Sequence, residues 1–158
     1  HDQQEAFSLS DKIVLMKEGR VEQIGTPQDI WNHPRSRFVA DFIGIENLLA
    51  ATLEGSGGDA VVRLKDGYAL PVDAGTCRPG PVFVAIRARD VELLAPEDEN
   101  GIEAEVIDVD YRGDSFALTL RTRLADGPMT VQVPAAMKWS PNLKIVLPKH
   151  SLTVLGDG

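Results

Sequence analysis

The first third of the chain alternates apolar and polar positions in a way that predicts a β-hairpin. Residues 13–16 and 21–24 are apolar runs on either side of Lys17-Glu18-Gly19-Arg20. Gly19 can adopt the positive φ that tight hairpin turns require. The pattern therefore predicts two antiparallel strands, preceded by a short helix over residues 2–9.

Two short helices are predicted directly after the hairpin. Thr26 can cap a helix whose first position is Pro27, and His33-Pro34 ends it. A second helix is predicted over residues 36–43, where Ser36 provides the cap. Gly44 closes it, and its apolar face comprises Phe38, Val39, Phe42 and Ile43.

From residue 46 onward the chain consists of short β-type runs separated by glycine and proline. This pattern is typical of a small barrel or sandwich. The predicted strands cover residues 48–53, 60–64, 69–72, 82–86, 91–94, 102–108, 116–121, 130–133, 143–147 and 152–155.

An internal repeat accounts for the large number of strands. At a constant offset of 61, residues 70–72, 84–86 and 91–94 align with residues 131–133, 145–147 and 152–155. Gly58-Asp59 and Gly113-Asp114 match at an offset of 55. The repeat therefore predicts two related β units, and we expect each unit to complete the barrel of the other.

Composition narrows the classes of function. The apolar run over residues 82–86 is far shorter than the roughly 20 residues that cross a bilayer. The formal charge is −8, and residues 45–158 carry 17 acidic and 11 basic side chains. Because nucleic acid would be repelled and only 6% of the residues are aromatic, no nucleic-acid partner is expected. A single cysteine, Cys77, excludes an internal disulfide.

The amino-terminal third contains three motifs. These motifs are His1-Asp2, the run from Ile13 through Gly19-Arg20 to Gly25-Thr26-Pro27, and Arg37-Phe38-Val39-Ala40-Asp41-Phe42-Ile43-Gly44. They resemble the end of an ATP-binding-cassette (ABC) ATPase. The resemblance implies that His1 is the switch histidine, which contacts the ATP γ-phosphate and the attacking water. It also implies that Ile13, Leu15, Phe38 and Phe42 normally pack on a catalytic core, so they need other cover or leave the first third less ordered than the β half.

The remaining residues resemble a second family element. Gly44-Ile45-Glu46-Asn47-Leu48-Leu49 and the run from Val84 to Leu93 resemble the transport-associated OB-type domain of importers for polyamines, ferric iron, sulfate and sugars. Where the family usually has Pro-Glu, this chain has Ala88-Arg89. The resemblance implies a mainly β fold, an OB-type barrel or sandwich over residues 45–158. A short α/β remnant of the ATPase domain over residues 1–44 precedes it.

The implied function is the C-terminal regulatory and dimerisation region of an ABC importer's ATP-binding subunit. No Walker A loop occurs in the 158 residues, nor do the signature and Walker B motifs, so we expect His1 to be inert and this chain not to be an enzyme. No cofactor is expected here, whereas the intact parent uses ATP and magnesium. Its implied partners are a second copy through the β domain, membrane permease subunits and a solute-binding protein. The implied location is the cytoplasmic face of the cell membrane.

Two turns are candidate ligand or regulatory sites. Arg87 and Asp90 flank a turn between two strands, and a local ion pair or a capping carboxylate is favoured there over ligand contact. Arg112, Gly113 and Asp114 follow Tyr111 in a predicted hairpin turn. Loops of this kind line clefts for small anions or regulatory partners in the domain class, so a small-oxyanion-binding OB-type module is the alternative function. Acidic residues around this turn are better explained as a solvated strand face than as a metal site.

Overall fold

The computed structural model describes residue 7 and residues 10–95 and 97–156. His1 and most of the helix predicted over residues 2–9 lie outside the described residues. The hairpin is confirmed, with β1 over Ile13–Lys17 and β2 over Arg20–Gly25. Its two loop residues, Glu18 and Gly19, have φ of 49° and 78°, as a two-residue hairpin turn of this twist requires.

Both predicted helices form with the expected caps. α1 spans Pro27–Asn32, and Thr26 and Asp29 make a reciprocal capping box at its start. The hydrogen bond from the Thr26 hydroxyl is the main reason that the pKa of Asp29 lies below its usual value. α2 spans Arg37–Phe42, and the Ser36 hydroxyl accepts the N–H of its third residue.

All ten predicted strands of the β half are confirmed, with ends that differ from the predicted ones by up to three residues. They are β3 Asn47–Glu54, β4 Ala60–Arg63, β5 Ala69–Val72, β6 Gly80–Ile86, β7 Glu92–Leu94, β8 Ile102–Tyr111, β9 Ser115–Thr122, β10 Met129–Pro134, β11 Asn142–Val146 and β12 Thr153–Gly156.

The ten strands form two antiparallel five-stranded sheets. Sheet I has the order β12-β6-β3-β4-β5, and sheet II has the order β7-β11-β8-β9-β10. In each sheet four strands come from one repeat unit, and the fifth comes from the other unit. The register follows the repeat, since Val84 pairs with Val154 in sheet I and Ile145 pairs with Leu93 in sheet II. The prediction that each unit completes the other is therefore confirmed, although the exchanged strand completes an open sheet and not a closed barrel.

The main core lies between the two sheets, as in a sandwich. It is made of apolar side chains from nearly every strand of the β half, among them Leu53, Val62, Val84, Ile102, Leu118, Leu120, Val131 and Ile145.

A second core lies between the outer face of sheet I and the hairpin and helices. Ile30, Val39 and Ala40 pack there against Ala85 and Leu155 of the sheet. Further apolar side chains complete it: Phe7, Ile13, Leu15, Phe38, Phe42, Ile43, Ile45, Leu48 and Phe83. Ile13, Leu15, Phe38 and Phe42 therefore find other cover on the apolar outer face of sheet I, which is the first of the two expected outcomes.

Most of the exposed apolar surface of the first third lies on the other face of the hairpin, and Trp31 of α1 is the other exposed large apolar residue described there. Val14, Met16, Val21 and Ile24 are each between 47% and 57% exposed. Val14 is opposite Ile24 and Met16 is opposite Val21, so the four form one patch. We call these four residues the hairpin patch.

Candidate functional site

Glu46 and Asn47, at the junction of α2 and β3, contact both repeat units. Glu46 accepts a hydrogen bond from the Ala88 N–H over 3.1 Å. The Asn47 side chain is 2% exposed and exchanges two hydrogen bonds with the Thr130 backbone, of 2.8 and 2.7 Å. The sequence indicates Glu46 and Asn47 only as members of a family motif. Their hydrogen-bond partners could not be predicted, because they lie 42 and 83 residues away along the chain.

Arg87 joins the β half to α1. Its guanidinium stacks on the Trp31 ring, with 4.1 Å from Cζ to the ring centroid, and donates a 2.8 Å hydrogen bond to the Trp31 carbonyl. Partial burial, and then the neighbouring Arg89, lower the pKa of Arg87 from its usual value, although it remains a cation at neutral pH.

The local ion pair predicted between Arg87 and Asp90 does not form. Asp90 instead lies 3.8 Å from Arg89 Nε. The reason is the 3₁₀ turn over Ala88–Asp90, which places Arg87 at its start with its side chain directed to Trp31.

A cavity of about 220 Å³ opens beside Arg87. It lies where the two crossover turns, Ala88–Asp90 and Lys149–Ser151, approach each other, and these turns are equivalent at the repeat offset of 61. Its polar and aromatic lining includes Trp31, Arg87, Arg89, Asp90, His150 and Ser151. Arg87 and Asp90 are thus brought together in one cavity with groups from the second unit, which sequence reasoning did not foresee.

The second predicted site is an exposed hairpin turn between β8 and β9. Gly113 has φ of 89°, and Arg112 Nε lies 3.1 Å from Asp110. Asp114 accepts a 3.0 Å hydrogen bond from the Ser115 hydroxyl. The turn is confirmed, but none of its described contacts joins it to Arg87 or Asp90, so the two candidate turns do not form one site.

An apolar surface lies beside that turn, at the end of sheet II. Ile107, Val109 and Tyr111 are exposed along β8, and Met137 is exposed in the segment after β10, where it lines the same cavity as Trp139. Tyr111 packs on Phe116 with 5.1 Å between ring centroids, and Phe116 packs on the half-buried Trp139. We call Ile107, Val109, Tyr111 and Met137 the β8 patch.

Among the described residues, no three His, Cys, Asp or Glu side chains group closely enough to hold a metal ion. None of the helices in this part of the chain has the length and apolar character of a membrane span.

The chain is similar to curated ATP-binding proteins of importers. It is 39% identical over 138 residues to the spermidine/putrescine import protein PotA 1 of Pseudomonas aeruginosa, covering 85% of this chain and 37% of that one. It is 41% identical over 124 residues to the sulfate/thiosulfate import protein CysA of Burkholderia mallei, covering 78% and 34%. It is 37% identical over 123 residues to the Fe(3+) ions import protein FbpC of Brucella abortus, covering 77% and 34%. The chain thus spans about a third of the length of these relatives and matches their C-terminal part.

The fold resembles that of a solved structure with little sequence identity. The cytoplasmic molybdate-binding protein ModG aligns with a TM-score of 0.55 and 16% identity, covering 71% of this chain and 96% of that one. This likeness supports the OB-type β fold. No protein-family model matches the chain.

Proposed function

Because the chain is homologous to the C-terminal part of ABC importer ATP-binding subunits, we propose that it is the regulatory and dimerisation region of such a subunit. The observation that carries this proposal is the alignment of polyamine, sulfate and iron importer subunits over 72–85% of the chain. The intact subunit would couple ATP hydrolysis, with magnesium, to solute uptake. It would act at the cytoplasmic face of the membrane with permease subunits and a solute-binding protein.

The hairpin patch supports this assignment. The hairpin buries Leu15 on one side and leaves the hairpin patch uncovered on the other, so its two strands have apolar side chains on both faces. Strands of this kind are typical of an element placed between two layers. We propose that the rest of an ATPase domain provides the second layer, since this chain aligns with only about a third of the length of its relatives.

His1 has a role only within that larger domain. By resemblance it would contact the γ-phosphate and position the attacking water, in a reaction where positioning and charge stabilisation supply most of the catalysis. A phosphate-binding glycine loop is needed to hold the nucleotide, and the 158 residues contain none. We therefore propose that His1 acts in the intact subunit and is inert in this chain.

We propose that the β8 patch is the contact between two copies. A two-fold contact uses the same surface on both copies and therefore needs a self-complementary, largely uncharged centre. The aromatic and aliphatic side chains of the patch meet that need, with Tyr111 as the most exposed of them. The long-range repulsion between two chains of charge −8 is screened over about 8 Å at physiological salt, so it opposes the contact only weakly.

Light scattering tests the dimer. At concentrations on the order of a hundred micromolar, in the range where weak interfaces associate, we expect a particle of twice the 17.2 kDa chain mass. Tyr111→Lys should give a monomer because it buries an unpaired charge at the contact. Val21→Lys, the matched change in the hairpin patch, should leave the dimer intact. A 17.2 kDa particle in both low and moderate salt would refute the dimer.

The second candidate function is a small-oxyanion-binding OB-type module. Two observations favour it: the fold likeness to a molybdate-binding protein and the cavity lined by Arg87 and Arg89. Calorimetric titration with molybdate, sulfate and phosphate tests it. Binding of any of the three in the millimolar range or tighter supports this candidate, and no heat beyond dilution contradicts it.

A further inference from the structure

We propose that the cavity between the two crossover turns binds a tetrahedral dianion, with Arg87 and Arg89 as its cationic groups. This inference deepens the second candidate function and rests on it. It adds a defined place, the junction between α1 and the two repeat units, and the residues that recognise the ion.

The first reason is that neither arginine has a close carboxylate partner. Among the described residues, no carboxylate lies within 4.0 Å of the Arg87 guanidinium. Arg89 has one carboxylate partner, Asp90, at the long distance of 3.8 Å. Glu46 and Asp90 are near enough to interact with Arg87 electrostatically, but neither carboxylate lies within 4.0 Å of its guanidinium. The two arginines therefore have no close carboxylate partner, and a bound dianion would provide one.

The size of the cavity is the second reason. At about 220 Å³ it lies below the roughly 300–1,000 Å³ of sites that hold drug-sized ligands. A phosphate or sulfate ion with one or two waters suits such a space. The Ser151 hydroxyl and the His150 ring, both in the lining, can provide further hydrogen bonds.

The third reason is that Arg87 is already held in place. Its ring stacking and its hydrogen bond to the Trp31 carbonyl fix the guanidinium with one Nη atom engaged, which leaves other N–H groups for a ligand. The backbone of the adjoining turn is in turn held by Glu46 through the Ala88 N–H. Binding would therefore cost little side-chain entropy at Arg87.

Asp90 should oppose anion binding, and this gives the proposal a second test. Its carboxylate lies in the same lining, so it should weaken the affinity for any anion. Arg89→Gln and Asp90→Asn then have opposite expected effects. Both side chains are at least partly exposed and have no other described side-chain partner, so both variants should fold.

The experiment is calorimetric titration of the 158-residue chain with sulfate, phosphate and molybdate at constant ionic strength, with chloride as the monovalent control. We expect binding of at least one dianion, weakened about tenfold or more by Arg89→Gln because a charge-assisted contact is lost. Asp90→Asn should tighten binding. Arg112→Gln, which removes an exposed arginine at the other candidate turn, should leave it unchanged.

The possible outcomes distinguish failure of this site from failure of the oxyanion-binding function. Dianion binding that Arg89→Gln leaves unchanged, or that Arg112→Gln weakens equally, overturns the site while the oxyanion-binding function stands. Absence of binding of all three dianions overturns both. If chloride weakens dianion binding as strongly as sulfate does at the same ionic strength, the proposal is also overturned. Such a result indicates general charge screening without a specific dianion site.

Discussion

Asn47→Ala is expected to lower the free energy of unfolding by about 2–4 kcal/mol, since each buried backbone group left without a partner costs about 1–3 kcal/mol. β10 is an edge strand of sheet II, and the Asn47 side chain satisfies both the N–H and the C=O of Thr130 there. Removing the amide leaves the two backbone groups of the half-buried Thr130 without this partner, which places the expected cost toward the lower end of their summed penalties. Urea unfolding followed by circular dichroism measures the change.

Asn142→Ala provides the matched control for Asn47→Ala. Asn142 is an exposed residue at the start of β11, and its replacement should change stability by no more than about 0.5 kcal/mol. If Asn47→Ala were as stable as this control, the amide would not link the two sheets. The link matters because it joins the first residue of β3 to a strand of the second repeat unit.

Leu155→Ala is expected to cost about 2–5 kcal/mol, the usual range for a leucine truncated in a packed core. Leu155 is 1% exposed and lies in the core between sheet I and the helices. It belongs to the strand that the second unit contributes to sheet I. Truncation should therefore loosen the contact between the first third and the β half as well as the edge of the sheet.

The repeat provides an internal control for Leu155. Leu94 is its equivalent at the offset of 61, and the register matches, since Leu155 pairs with Phe83 and Leu94 pairs with Lys144. Leu94 is only partly buried, because the outer face of sheet II has no helices over it among the described residues. Leu94→Ala should cost about 1 kcal/mol or less, by loss of a partly buried side chain. Equal costs for the two variants would contradict the proposed cover of sheet I by the first third.

The strands and their exchange between units could be predicted because both depend on local patterns. Alternating apolar runs between Gly and Pro located the ten strands, and the constant offset of 61 identified residues 91–94 and 152–155 as equivalent strands. Each of these strands follows a crossover turn and enters the sheet of the other unit. The hairpin and both helices were likewise predicted from caps and turn residues.

The cavity could not be predicted, because it depends on contacts between distant residues. Arg87 contacts Trp31 across 56 positions, and the crossover turns meet only after the two units exchange strands. Sequence alone offered Asp90 as the near partner of Arg87. It also gave no means to decide which face of the hairpin would be covered, since both faces carry apolar residues.

Hydrolysis of MgATP by the full-length protein and by this chain tests the central claim most directly. If the proposed assignment is right, the full-length protein should hydrolyse MgATP, because the part that matches the upstream length of its relatives would supply the phosphate-binding loop that His1 is proposed to serve. The isolated 158 residues should show no hydrolysis above background after repurification. Hydrolysis by the isolated chain, or none by a folded full-length protein, would contradict its assignment as the C-terminal region of an importer ATPase subunit.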